Sequence, residues 1–214
     1  MATERPSGLK AFVRKRIQDS IDVQQRLVDI EAECADVAWE LVRAFQGRHK
    51  LILFGNGGSA GEAQHIAAEF VGRFYRERRA LPACALTVDT SALTAIGNDY
   101  AFDQVFSRQL EALGQPGDVA IGMSTSGRSP NVVAALRTAR QRGLVAVAMT
   151  GQDGGLALVE SDYCVRVPTR DTPRVQEAHL LIGHIWSEFV ERMLFGAIDA
   201  AAQDEVAQLL TTAR

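Results

Sequence analysis

One stretch constrains the chain more than any other: residues 51–74, LILFGNGGSAGEAQHIAAEFVGRF. Its first four residues form an apolar run long enough for a buried strand, and Gly55-Asn56-Gly57-Gly58 then places three glycines in four positions. Glycine tolerates positive φ and lets a ligand approach backbone N–H groups closely. From Ala60 onward, Ala63, Ala67, Phe70, Val71 and Phe74 recur at helical spacing. A strand feeding a glycine and serine loop that opens a helix is an anion cradle, because unpaired N–H groups meet the positive end of the helix dipole there. Asn56, Gly57, Gly58 and Ser59 are therefore candidate substrate contacts.

His65 and Glu69 follow on that helix, four residues apart and so on one face. A solvated pair has the same spacing. Beside a phosphate cradle, an imidazole and a carboxylate also suit proton transfer on a phosphorylated substrate, with or without a metal.

The rest of the chain alternates. Apolar runs predict further strands at 83–88, 118–123, 144–150 and 163–167, separated by helical patterns at 90–96, 102–113, 132–142 and 173–194. Residues 9–46 read as two helices or one bent one, with Gly47 as a C-cap, and 200–210 as a last amphipathic segment. Strands that are apolar throughout indicate a parallel sheet covered on both faces. The expected fold is thus α/β: a doubly wound five-stranded parallel sheet in one domain over 1–214. Helices at 1–48 would pack against a partner subunit, 49–195 would form the core, and 196–214 a helical tail. Ligands of such sheets sit beyond the carboxyl ends of the strands.

A second polar loop falls on that edge. Ser124, Thr125, Ser126 and Ser129 bring four hydroxyls to one helix start, where capping needs only one. The first loop also matches the dinucleotide pattern G-x-G-x-x-A, with Asp89 available as a ribose acid. A dinucleotide domain requires neither the second hydroxyl loop nor the His65/Glu69 pair, so no nucleotide cofactor is expected. Of the four histidines, His179 and His184 lie in the last helix with Gln176, and His49 lies apart. With His65 and Glu69 they form a loose metal-ligand pattern.

A net charge of −3 leaves no broad basic surface for nucleic acid or a membrane. Three scattered cysteines, Cys34, Cys84 and Cys164, read as buried reduced thiols, and the first residues lack an apolar signal core. The expected location is the cytoplasm.

Taken together, GNGGSAGEAQHIAAEF, GNDYAFD, STSGRSPNVVAAL, MTGQDGG and TPRVQEAHLLIGHI resemble the bacterial phosphoheptose isomerases of the sugar isomerase (SIS) family, over roughly residues 9–195. The resemblance implies an SIS-type sheet. It also implies interconversion of sedoheptulose 7-phosphate and D-glycero-D-manno-heptose 7-phosphate, the entry to heptose biosynthesis for cell-envelope glycoconjugates. By the same resemblance, Ser59, Ser124, Thr125, Ser126 and Ser129 bind phosphate, while Asn98 and Asp99 touch the sugar. His65, Glu69, Gln176 and His184 would hold one zinc ion per subunit. Glu69 would be the base and His184 the acid, and the family's homotetramer is expected. Arg128 stands where the family's box usually has Asn. A non-catalytic SIS regulator that binds a replication initiator is the alternative, and the presence of Glu69 and His184 argues against it.

One expectation concerns assembly. Gln176 and His184 are eight residues apart, so one straight helix separates them by ~12 Å of rise. Together with the surplus N-terminal helices, this predicts that Glu69 and His184 of one site come from different chains.

Overall fold

The apolar runs pair as β1 (Leu51–Gly55), β2 (Ala83–Ala85), β3 (Val119–Ser124), β4 (Val145–Thr150) and β5 (Tyr163–Arg166). The structure, a computed structural model, describes residues 6–196. All neighbouring strands are parallel, in the order β2-β1-β3-β4-β5. Every residue of β1 and β3 is buried, as strands covered on both faces require. Register sets Gly55 opposite Met123 and Ser124 opposite Thr150, so the polar loops leave the sheet along one edge. The strand order reverses between β1 and β3, where a doubly wound sheet binds its ligand. The predicted strand at 83–88 is shorter than expected: pairing stops at Ala85, and the chain turns into α4 (Thr90–Asp99), capped by the Asp89 carboxylate on the Ala92 N–H.

One face of the sheet carries α2 (Glu31–Gln46), α3 (Gly58–Val71) and α7 (Thr172–Phe195) around Leu51, Leu53, Ile121, Met149 and Trp186. The other carries α5 (Ser107–Leu113) and α6 (Pro130–Gln141) around Phe54, Phe106 and Leu136. A helix expected over 102–113 is interrupted, with a 3-10 turn at Phe102–Gln104 preceding α5.

The N-terminal helices divide in role. Helix α1 (Leu9–Gln25) continues through a 3-10 turn at Arg26–Ile30 into α2. Val37, Leu41, Val42 and Phe45 of α2 are buried in the core, so this helix completes the chain's own sheet layer, contrary to expectation. Helix α1 buries only Val23 and leaves Phe12, Val13, Ile17 and Ile21 exposed. At the end of α2, Gly47 caps without a positive φ. Arg48 takes the left-handed conformation (φ 63°), and the N–H groups of Arg48 and His49 close back on Phe45 and Ala44. Cys34, Cys84 and Cys164 are free and half-buried, and burial pushes the Cys34 thiol up to about 11. The expected segment at 200–210 lies outside the described residues. Among the described residues no helix is long and apolar enough to cross a membrane.

Candidate active site

Helices α3 and α7 lie side by side and run the same way. Gly58 faces Gln176, Glu62 faces His179, Ile66 faces Gly183, and His65 meets His184. This seam organises the site.

Three of the residues singled out from the sequence converge on it. His65 Nε2 lies 2.9 Å from His184 Nε2 and 3.3 Å from Glu69 Oε1, and the three ligand atoms all fall within 4.8 Å of one another. His65 and Glu69 are one turn apart on α3, and His184 reaches across from α7. Three ligand atoms round a tetrahedral zinc would be ~3.3 Å apart at ordinary Zn–N and Zn–O lengths. Two imidazole nitrogens and one carboxylate oxygen therefore fit a catalytic zinc set with one position left for water or substrate. Phe74 stacks obliquely on His184, with ring centroids 5.7 Å apart, and shields one side of that ring.

Two expectations are corrected here. Glu69 and His184 come together within one chain, so the seam needs no second copy to unite them. Gln176, by contrast, is not with them: its amide packs against Gly58, so tightly that a β-carbon there would overlap it. Eight helical residues, ~12 Å of rise, separate it from His184. His179 also stays out of the cluster. It is fully buried, with Nε2 3.3 Å from the Thr150 carbonyl and Nδ1 3.9 Å from Glu62.

The loop after β1 carries the conformation that its glycines predict. Gly57 has a φ of 56°, and α3 begins at Gly58 with Ser59 buried behind it. The Asn56 amide bonds within the protein. It exchanges two hydrogen bonds with the buried Asn131 side chain, at 2.8 and 2.9 Å, and so ties the β1 loop to the start of α6. Asn131 also accepts from the Val132 N–H. The hydroxyl loop lies alongside: Ser124 Oγ and Ser129 Oγ are 2.9 Å apart, and Ser126 Oγ accepts from the Arg128 N–H at 3.2 Å. Gly127 (φ 65°) lets this loop close on the Gly154 carbonyl, where a β-carbon would clash. Asn98 and Asp99 end α4, exposed and hydrogen-bonded to each other at 2.8 Å. Asp99 is not among the residues whose ligand atoms converge with His65.

Sequence reasoning missed a buried ion pair behind the cluster. Arg78 and Glu191, at 2% and 1% side-chain exposure, meet at 3.0 Å. Arg78 donates to the carbonyls of Glu69, Phe70 and Gly72, which closes the C-terminus of α3. Glu191 accepts from the N–H groups of Phe74, Tyr75 and Arg76. Arg78 sits in the charged run RERR and Glu191 sits 113 residues away, so no local signal joins them.

Residues 17–151 match the SIS domain family. The chain is 52% identical over 185 residues to a protein of Roseiflexus sp. named phosphoheptose isomerase, covering 86% of this chain and 94% of that one. A solved phosphoheptose isomerase from Neisseria gonorrhoeae superposes with a TM-score of 0.80 at 42% identity, covering 86% of this chain and 98% of the other. One from Francisella tularensis superposes at 0.83 and 31%, covering 87% and 100%.

Proposed function

The chain belongs to the SIS domain family, and we infer that it works as a phosphoheptose isomerase, interconverting sedoheptulose 7-phosphate and D-glycero-D-manno-heptose 7-phosphate. The observation that carries this reading is the convergence of Glu69 with His65 and His184, in a chain so similar to relatives of that name.

Aldose–ketose isomerisation moves one proton between C1 and C2 through an enediol, so it needs a base at carbon and an acid at oxygen. Glu69 supplies the base and His184 the acid, from Nδ1–H, because Nε2 is the nitrogen turned to His65 in the cluster. A carboxylate has two oxygens, so Oε1 can face the histidines while Oε2 takes the proton from carbon. We propose that His65, Glu69 and His184 hold a zinc ion, which when bound would polarise the substrate carbonyl. The phosphate belongs to the hydroxyl loops, with Ser59, Ser124, Thr125, Ser126 and Ser129 and the N–H groups at Gly57 and Gly58 as donors. Asn98 and Asp99 remain proposed sugar contacts.

We also propose a homotetramer. Gln176 of the same chain is too far along α7 to join His184 at one ion, so any contact of this residue type with that centre would come from Gln176 of the partner subunit. The unpartnered apolar stripe of α1 supports such an assembly. Free thiols at Cys34, Cys84 and Cys164 accord with work in the cytoplasm. A non-catalytic regulator would have no use for an acid and a base at one point, which disfavours that alternative.

The test is to incubate the purified, zinc-supplied protein with sedoheptulose 7-phosphate and look for the aldose. No aldose at equilibrium would reject the reading.

A further inference from the structure

The hydroxyl loops supply donors but no charge, whereas a sugar phosphate arrives with nearly two negative charges at neutral pH. A protein of net charge −3 offers no general attraction to offset them. Beside the loop, however, Thr125, Ser126, Arg128, Gln152, Arg170 and Thr172 line a cavity of about 290 Å³ at the carboxyl edge of the sheet. Its two guanidinium groups are held differently. Arg170 is fixed by Asp153 Oδ1, which accepts from Nη2 at 2.9 Å and from Nε at 3.2 Å. Arg128 has no carboxylate within ion-pair reach among the described residues. Two cations and one anion leave the cavity with one uncompensated positive charge, next to the hydroxyl of Ser126. The turn at Gly127 folds the loop against Gly154, and Arg128, exposed, lines this cavity.

We propose that Arg128 and Arg170 form a cationic clamp on the phosphate of the substrate, with Arg128 as the charge-neutralising contact and Arg170 as its Asp153-anchored partner. The inference rests on the phosphate reading of the hydroxyl loop. Planar guanidinium groups present paired, charged donors that match two phosphate oxygens, whereas the hydroxyl loop supplies donors without charge. The clamp binds a part of the substrate that does not react, so it acts equally on ground and transition states and its loss falls on KM rather than kcat.

The test measures KM for sedoheptulose 7-phosphate and, by calorimetry, Kd for inorganic phosphate in the wild type and in Arg128→Ala, Arg128→Lys and Arg170→Ala. Removing one charge-assisted hydrogen bond should raise both constants about 10-fold in Arg128→Ala. Arg128→Lys should recover part of that, and the deficit should shrink as salt is raised. Arg170→Ala should show a smaller rise, because Asp153 already offsets its charge. Both arginines are exposed, so melting curves near wild type will show that the variants fold. Constants within two-fold of wild type in both alanine variants would overturn the clamp. Loss of phosphate binding in those variants, from a wild type that isomerises no sugar phosphate, would keep the clamp and reject the reaction instead.

Discussion

Gly183 faces Ile66 so closely that a β-carbon at position 183 would overlap the isoleucine side chain. This contact sets how near α7 comes to α3, one residue from His184 and one from His65. Alanine is the better helix former by up to ~1 kcal/mol. In a fully packed seam, an added methyl group costs about 1–3 kcal/mol. Overpacking should win, so Gly183→Ala is expected to lower the denaturation midpoint. It should also part the two histidines, and a misplacement of about 1 Å can cost ~10²-fold in rate. Measuring midpoint and kcat together checks this. A variant unchanged in both would mean that the seam absorbs the methyl.

Glu69→Gln keeps the size of the side chain and removes its basicity. As the base, its loss should lower kcat by ~10²–10⁴ with little change in substrate affinity. Steady-state rates on sedoheptulose 7-phosphate decide the matter, and a near-normal kcat would reassign the base.

How much of the fold and site is legible in the sequence depends on the range over which each signal acts. Strand and helix positions follow from local periodicity, so β1, β3, β4 and α3 stand where the apolar runs place them. The pairing of His65 with Glu69 is also local, one helical turn. Their union with His184 is not: it depends on α7 crossing the sheet to lie along α3, and small residues such as Gly183 that permit the approach carry no obvious mark. Spacing alone suggests a division of Glu69 and His184 between chains, because it gives Gln176 and His184 one shared target. The structure separates those targets along the seam. Asn56 is legible as a loop residue, but its partner Asn131 is not, since the pair joins the β1 loop to the start of α6, 75 residues away.

Metal content gives a third test. About one zinc per chain is the expected occupancy of a single site. His65→Ala removes one of the three converging ligands, so elemental analysis after dialysis should find much less metal in the variant. Full occupancy in His65→Ala would exclude the cluster as the metal site.

Behind the cluster, Glu191 is the buried acceptor for Arg78 and three backbone N–H groups. Truncating one side of a buried ion pair strands the other charge and costs about 3–5 kcal/mol. Glu191→Ala should therefore unfold at much lower denaturant than wild type. Arg78 also caps the carbonyl of Glu69, so any folded fraction should show reduced kcat at saturating substrate. Urea titration read beside activity separates the two effects. A midpoint within experimental error of wild type would show that the pair contributes little.

The last prediction concerns the division of the site between subunits. His65, Glu69 and His184 belong to one chain, whereas Gln176 lies ~12 Å along the same helix, against the loop at Gly58. If Gln176 serves the same reaction centre, it must do so from a neighbour. Two variants, Glu69→Gln and Gln176→Ala, should each be poorly active alone. Mixed under conditions that exchange subunits, a symmetric tetramer would contain hybrid sites in which an intact Glu69 faces an intact Gln176. Roughly a quarter of the sites in an equal random mixture meet that condition, so a matching share of wild-type activity should return. A site contained within one chain gives no such return, because every chain then carries a defect. Hybrid tetramers demonstrated by mass spectrometry and lacking recovered activity would place Gln176 outside the shared centre.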